Sequence, residues 1–427
     1  MKFLRFTSVL IFMSLFLSCN QNTTELEIGT FSGSVWDVPN WQSFRFFDEA
    51  IDNYTNENSD IKISYRSGTL KEDYSEWLSQ KILLGEEPDL FLILPEDFIL
   101  FSSIGLLEDL NPLMESDSDF DREDYFSNAL NSGIYEEGQF GFPLEVVPTL
   151  MFVNETLLDK KGISVPEDNW NWEGFYSISY DLSSFKSPQA EDQIQAVIGF
   201  DWKIAAYTNG QHLFTENGDQ SLISENGIKE AVKFASTLEG LKREEPSLDF
   251  EDGNVAFTPM PFSEYRAYAF FPYSIQKYSN FDWEALLLPK GPHGNNGGEL
   301  QSLLIGISAR AKHKREAWEF LKFLVSDVET QKNIFHYSHG VPVLKEILHM
   351  EDVKIFLSRG RNLEISLLTA EQITESIENS LVFPRFEKYE EALELADNAL
   401  DVIEINPSRL EHQLSVLDIE ITDFLKH

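Results

Sequence analysis

The chain has 427 residues, 42% hydrophobic and 13% aromatic. At roughly 150 residues per domain this is two large domains or three small ones, and neither a single small module nor a wholly disordered chain. Asp and Glu number 72 against 33 Lys and Arg, a net charge of −39, which argues against the basic footprint of a nucleic-acid binder and against broad docking onto an anionic membrane face.

Residues 1–18 read as a targeting segment: Lys2 and Arg5 precede an apolar run from Phe6 to Leu17, too short and too early for an ordinary spanning helix. Cys19 follows as the only cysteine, so no disulfide can form within the chain. The arrangement resembles a bacterial lipoprotein box, in which the thiol carries lipid and becomes the new N-terminus. It departs from the common pattern in having Phe16, where Leu is more usual. Residues 19–25 would then be a tether.

Leu26, Ile28 and Thr30 alternate as a first strand, and residues 31–41 form a loop with Trp36 and Trp41. Phe44, Phe47, Ile51 and Tyr54 mark a helix face; 60–65 alternates again as a strand; 73–84 is a helix with Tyr74, Trp77, Leu78 and Ile82 inward. Pro88 stops it, and Leu90–Leu94 is a continuous apolar run that suits a strand covered on both faces. Strand, helix, strand, helix, strand is the doubly wound pattern, and ligands of such sheets sit beyond the carboxyl ends of the strands. Here those ends carry the 31–41 loop, the stretch near Arg66, and Pro95-Glu96-Asp97.

Residues 140–153 are apolar except for Glu145 and read as a strand and a crossing. A polar and aromatic stretch with Trp170 and Trp172 follows, then a half-buried segment at 197–207. The periodicity predicts a helix over 227–241, strands over 254–260, 283–288 and 303–307, a turn region at 291–298, and a helix over 314–325. The tail is helical in two runs, Phe386–Ile403 and Leu410–Leu425, separated by Pro407. There is no repeat, and no linker cuts the chain into two contiguous domains, as befits lobes between which the chain crosses more than once.

The chemistry-bearing patterns are sparse. None of the eight His makes an HExxH, though His336 and His339 are spaced to share a helix face; an EF-hand frame at Asp249 fails because the required glycine falls one place early, at Gly253. The GxSxG elbow and the GxxxxGK[ST] loop are absent. No cofactor, metal or catalytic residue is expected. Acids at loop and crossing positions, namely Glu96, Asp97, Glu145 and Glu299, suit the hydroxyl donors of a neutral polyol, and Trp or Tyr rings suit the apolar faces of sugar rings.

Several stretches carry a family likeness in order: Pro88-Asp89-Leu-Phe91; Gly105-Leu-Leu-Glu-Asp-Leu-Asn-Pro112; Gln139-Phe-Gly-Phe-Pro143; Phe152-Val-Asn154; Lys161-Gly-Ile163 with Pro166 and Trp172; Asp252-Gly-Asn-Val-Ala256; Pro289-Lys-Gly-Pro292; Gly306-Ile-Ser308; Ala317-Trp-Glu-Phe-Leu-Lys-Phe-Leu324; Gln331; and Gly340-Val-Pro-Val343. Together they resemble the extracellular solute-binding proteins of family 1, the substrate-binding lipoproteins of bacterial carbohydrate ABC transporters. The likeness spans Leu26 to about Val343. It departs where the family often has paired tyrosines before the crossing Asn, here Phe152-Val153, and a Gly-Trp pair after the late strand, here Pro261-Phe262.

The resemblance implies an α/β, two-lobed periplasmic-binding-protein-like fold with a hinge and an interlobe ligand cleft. The first lobe would hold 26–145 plus 303–341 and the second 150–300 plus 346–427, with crossings near 144–149, 301–305 and 340–345. It implies a monomer that is no enzyme, lipid-anchored through Cys19 on the outer face of the cell membrane. Such a monomer captures a sugar or oligosaccharide, closes on it and delivers it to membrane permease subunits. Ligand-binding candidates are Trp36 and Trp41 in the first loop, and Glu96 and Asp97 after the third strand. Glu96 aligns with an acidic sugar-contacting position of the maltose-binding branch. Trp202 is expected to stack on a sugar face. Phe262 and Tyr265 follow the late strand, and Glu299 and Gln301 precede the second crossing. Glu145 either meets the ligand or pairs inside the hinge. Trp77 and Trp318 read as core.

Overall fold

Among the described residues there are eleven strands and seventeen α-helices, many of them at the periodicities above. The computed structural model describes residues 23–427 apart from 67, 168, 185–193, 243–248, 270–279, 358–367, 383–385 and 403–406, so the targeting segment and Cys19 lie outside the described residues. The strands are β1 Thr24–Gly29, β2 Ile61–Tyr65, β3 Leu90–Ile93, β4 Ile134–Tyr135, β5 Gly138–Gln139, β6 Phe142–Asn154, β7 Gln195–Val197, β8 Val255–Pro261, β9 Trp283–Leu286, β10 Leu300–Ile307 and β11 Val341–Pro342.

β1, β2 and β3 are parallel, in the order β2-β1-β3, joined by the helices Phe44–Glu57 and Lys71–Leu84. In β1, Leu26 and Ile28 turn inward while Glu25 and Glu27 stay outside, the alternation of a strand with one wet face. β3 is buried along its whole length, which is why its sequence reads as an unbroken apolar run. The first helix buries Phe46, Phe47, Ala50 and Tyr54, whereas Phe44 is exposed. The inward stripe therefore starts at Phe46 and Phe47 and continues through Ala50 rather than starting at Phe44.

β6 ties the molecule together. Its first half pairs antiparallel with β10 and β11, and its second half pairs with β8 and β9. The full sheet runs β2-β1-β3-β10-β6-β8-β7. The exchange of partners falls at Pro148 and Thr149, where a proline removes one ladder donor from the strand. A bulge in the β10–β6 register, between Leu303 and Leu304, leaves Leu144 as an extra residue on β6. Such a bulge bends the strand and re-aims the side chain that follows; here that side chain is Glu145.

Two apolar cores flank this strand. The larger gathers β1–β3 and their helices, β10, and the helices Lys314–Ser326 and Val328–Tyr337. The smaller gathers the helices Trp172–Ser184, Trp202–Thr208 and Asn226–Glu239, part of β8, and the two tail helices Tyr389–Val402 and Pro407–Lys426. The architecture is thus α/β and two-lobed. The sequence grouping put all of 346–427 with the second lobe. In the structure Ile347, Val353, Ile373 and Ile377 join the larger core, and Asn128 donates to the carbonyls of Ile377, Glu378 and Ser380. Only the last two helices join the smaller core.

Several helices gave no clear apolar period but have local causes. Pro95 opens the helix Pro95–Ser103 at a position where the missing N–H costs nothing. Asn154 caps Glu155–Lys161 by accepting from the Leu157 amide. Asp327 caps Val328–Tyr337 through the Thr330 amide. That helix ends at Tyr337, so His336 and His339 do not share a helix face, contrary to their spacing.

Candidate ligand site

The carboxyl ends of β1, β2 and β3 open onto one edge of the first lobe, and the 31–43 loop lies across it. The loop is held from both sides. Lys71 Nζ donates to the Val35 carbonyl at 2.7 Å and to Asp37 Oδ1 at 2.9 Å, and Asn40 Nδ2 donates to the Tyr337 carbonyl at 2.8 Å. Asp37 sits at φ 54°, a left-handed turn that Asp tolerates better than bulky residues. Under the loop is a hollow of about 470 Å³, including its open mouth, lined by Phe31, Ser34, Asn40 and Tyr337, with Glu145 and Ser338 at its inner wall.

Glu145 stands at the meeting of three segments. It is 3% exposed. Its Oε1 accepts from Trp36 Nε1 at 2.9 Å and from Ser338 Oγ at 2.7 Å, and its Oε2 accepts from the Gly340 amide at 3.2 Å. A Cβ on residue 340 would lie 2.4 Å from Oε2, so the close approach requires glycine there. Burial pushes the Glu145 carboxyl up to about 7, although the three donors pull it down. Glu145 pairs internally, joining the first loop, β6 and the segment that follows the helix Val328–Tyr337, and it also lines the hollow. Trp36 is buried with it.

The remaining first-lobe candidates reach solvent. Trp41 is 74% exposed on the loop. Glu96 is exposed at the first turn of Pro95–Ser103. Asp97, half-buried, accepts from Ser75 Oγ at 2.6 Å. Burial raises its carboxyl, the Ser75 bond opposes this, and the Glu96 charge adds to it.

In the second lobe, Trp202 opens the helix Trp202–Thr208 just past the carboxyl end of β7, with Asp201 as the cap. Its position beyond a strand end is the expected one, but its ring is only 8% exposed and belongs to the smaller core. A buried indole N–H needs an acceptor, and Trp202 Nε1 donates to Asp397 Oδ1 at 3.0 Å. Lys203 Nζ donates to the other Asp397 oxygen at 2.6 Å. Burial acts to lower the Lys203 ammonium, but the Asp397 bond and the charges of Asp201, Asp397 and Glu299 hold it above the ordinary lysine value. Glu299, half-buried, therefore faces this cluster, and its charge also reaches Tyr207, whose hydroxyl burial raises well above its usual value. Gln301 is exposed, with its backbone paired to Val147.

Phe262 and Tyr265 lie on the helix Phe262–Ala269 beyond β8 and are both buried in the larger core, so neither offers a platform in this conformation. Burial pushes the Tyr265 hydroxyl up to about 12. Next to it in sequence, Arg266 Nη2 donates to the Phe335 carbonyl at 2.7 Å, and its guanidinium covers the Phe335 and Phe356 rings at 5.6 and 4.8 Å. Burial lowers Arg266 to about 10; burial and then the Arg266 charge push His339 down to about 3. This helix of the second lobe thus rests on the helix Val328–Tyr337 of the first.

Residues that the sequence did not single out complete the picture: Ser338, Gly340, Lys203, Asp397 and Arg266. Gly340 opens a quoted family stretch and Ser338 lies two residues before it, which is the one local signal for either. Trp170 and Trp172 are packed, their Nε1 atoms donating to the Leu287 carbonyl and Thr208 Oγ1. Among the described residues no group of three His, Cys, Asp or Glu could hold a metal ion, and no helix is long and apolar enough to cross a membrane.

The profile of the bacterial extracellular solute-binding proteins matches residues 39–331, more than half of the chain. The chain belongs to the bacterial extracellular solute-binding protein family. Solved structures of similar fold include the cyclic alpha-maltosyl-1,6-maltose binding protein from Arthrobacter globiformis, 14% identical with a TM-score of 0.76 over 94% of this chain and 99% of that one. The sugar-binding protein MalE from Xanthomonas citri is 14% identical with a TM-score of 0.72, over 94% and 98%. An ABC substrate-binding protein from Listeria monocytogenes, solved in complex with cycloalternan, is 19% identical with a TM-score of 0.66, over 95% and 99%. At these identities the likeness is one of fold.

Proposed function

We propose that this solute-binding protein captures a sugar or oligosaccharide outside the membrane and delivers it to the permease of an ABC transporter, held to the membrane by lipid on Cys19. The observation that carries the reading is the composition of the first-lobe edge. A largely exposed indole, Trp41, stands on the loop that follows β1, and two carboxyls, Glu96 and Asp97, stand on the first turn of the helix that follows the adjacent strand β3. Acceptors for hydroxyl hydrogens beside an open aromatic face fit a neutral polyol. The sugars bound by the neighbours named above point the same way. Glu299 and Gln301 provide polar groups near the crossing, while Trp36, Glu145, Trp202, Phe262 and Tyr265 support the walls from within.

Calorimetric titration with a panel of oligosaccharides tests this. A matching sugar should raise the melting temperature without releasing product; released sugar, or no ligand in the panel, would count against capture. With the ligand found, Glu96→Gln should weaken binding roughly tenfold or more, since a charged hydrogen bond contributes about 1.5–3 kcal/mol. Trp41→Ala should do the same, taking base–aromatic stacking as the nearest guide at about 1–3 kcal/mol. Both side chains being at the surface, stability should stay within about 0.5 kcal/mol of the parent. Unchanged affinity in both variants would move the ligand away from this edge.

Anchoring is tested apart from binding. The whole-protein mass of chain recovered from membranes should include acyl groups, and Cys19→Ala should release a folded body into the medium or periplasm. A membrane-recovered mature chain without the acyl mass would rule out the lipid.

A further inference from the structure

The first lobe has a second distinctive edge, at the opposite ends of the same strands. Leu83 and Leu84 close the helix Lys71–Leu84 at 86% and 71% exposure, and Leu100 and Ile104 lie one turn apart at 55% and 59%. These helix ends meet around one loop: Arg310 Nη2 donates to the Ile82 carbonyl at 3.3 Å, and the Ala309 amide donates to the Leu106 carbonyl at 2.7 Å.

The same loop is cationic. Four of the six residues from Arg310 to Arg315 are Lys or Arg, in a chain with more than twice as many acids as bases. Arg310 pairs with Glu87, Lys314 with Glu108, and Arg315 reaches Glu319 only at 4.0 Å with 82% of its side chain in solvent. Lys312 is exposed.

β1 starts at Thr24 on this edge, and Asp89 spans from it to the cationic loop, accepting from the Glu27 amide on one side and the Ser308 amide on the other. The four residues from Cys19 to Asn22 reach at most about 14 Å.

We propose that this edge lies against the anionic lipid surface to which Cys19 tethers the chain, with Leu83, Leu84, Leu100 and Ile104 entering the headgroup boundary and Lys312 and Arg315 meeting lipid phosphates. The proposal rests on the lipid anchor. Aliphatic side chains beside cations are what an interfacial contact requires. The net charge of −39 turns the rest of the surface away from the same lipid. Attraction at one edge and repulsion elsewhere orient the body, and the strand ends that carry the ligand site then face the solution.

The sole thiol allows a test that does not depend on lipidation in the cell. Mature chain beginning at Cys19 is coupled through that thiol to a maleimide lipid in phosphatidylglycerol-containing vesicles, and as a control to a soluble maleimide polymer. Amide hydrogen exchange in residues 82–85 and 101–106 should slow several-fold on vesicles only. Lys312→Gln with Arg315→Gln should weaken the contact by roughly fivefold per cation removed, as should 0.5 M salt. Leu83→Glu with Leu84→Glu should abolish the protection. Equal exchange on vesicle and polymer overturns the proposal, as does protection at the 31–43 loop instead. Slowing on the polymer as well would assign the patch to a second copy of the chain and overturn it too. Failure of the native anchor would show separately, in the mass of the native chain.

Discussion

Glu145→Ala is expected to destabilise the protein by roughly 3–5 kcal/mol at pH 5 and by much less at pH 8. Two effects of opposite sign produce this. Removing the carboxyl strands three donors, Trp36 Nε1, Ser338 Oγ and the Gly340 amide, and each buried donor left unsatisfied costs about 1–3 kcal/mol before relaxation and water entry reduce the sum. Against this stands the cost of holding the carboxyl where it is. Its pKa in the fold is about 7, raised from 4.5 by burial. A carboxyl raised on folding contributes its full stability below its unfolded pKa, where both states are protonated. As the pH rises from about 4.5 to 7 the unfolded chain ionises first and stability is lost; above 7 the loss is complete. A shift of this size is worth about 3 kcal/mol at 1.36 kcal/mol per unit. The alanine variant has no such titration, so its penalty relative to the parent should shrink by about that amount between pH 5 and 8. Urea melts of both proteins at the two pH values decide the matter, because the other carboxylates cancel in the difference. An equal penalty at both would mean that Glu145 is ionised throughout and better solvated than its burial implies.

The position of Glu145 explains why this pairing has a functional cost if lost. It sits where β6 pairs with β10 and β11 together, Leu303 and Pro342 being its register partners. Three passages of chain are thus fastened at one buried group just before β6 changes partners at Pro148. Loosening it removes the tie between the first loop and the strand that joins the lobes, leaving the loop to its bonds with Lys71 and Tyr337.

What could be read from the sequence follows from how local each signal is. β1 to β3 and their helices were legible because their apolar spacing is a property of ten or fifteen consecutive residues. Glu145 stood out as the lone charge of an apolar stretch. Trp36 stood out too, but its bond to Glu145 did not, nor did those of Ser338 and Gly340, because these partners lie between about 100 and 200 residues away and no local pattern announces a hydrogen bond across that distance. Helix Ala370–Asn379 was missed although Thr369 and Gln372 form a reciprocal capping box, a signal that was present and unused. Asp397 was illegible for another reason: on a tail helix rich in acids, the carboxylate that accepts from Trp202 resembles its solvated neighbours. In the first lobe, Trp41 lies on the loop after β1, and Glu96 and Asp97 lie on the helix turn that directly follows β3, where topology alone puts a side chain at the edge. The second-lobe aromatics depended on tertiary packing, which period and position do not specify.

Trp202→Ala shows the consequence most sharply. The expectation from sequence was a stacking ring, whose loss weakens binding and spares the fold. The structure predicts the reverse. The ring is buried in the smaller core beside the cluster formed by Lys203, Asp397, Tyr207 and Glu299, so truncation should cost about 3–5 kcal/mol of stability, the usual penalty for a core tryptophan. Trp202→Phe keeps most of the apolar area and loses the bond to Asp397. A hydrogen bond to a charged group contributes about 1.5–3 kcal/mol, so this variant should fall between the parent and the alanine form. The cost should be local to the second lobe, because the ring does not belong to the larger core; hydrogen exchange should rise across the helices Trp202–Thr208 and Tyr389–Val402 before it rises in β1 to β3. Affinity for the sugar, measured by calorimetry and corrected for the folded fraction from a parallel urea melt, should change less than about twofold in the Phe form. A tenfold loss of affinity at unchanged stability in either variant would return Trp202 to the ligand surface. Binding would then have to draw the indole away from Asp397, leaving that carboxylate its bond from Lys203.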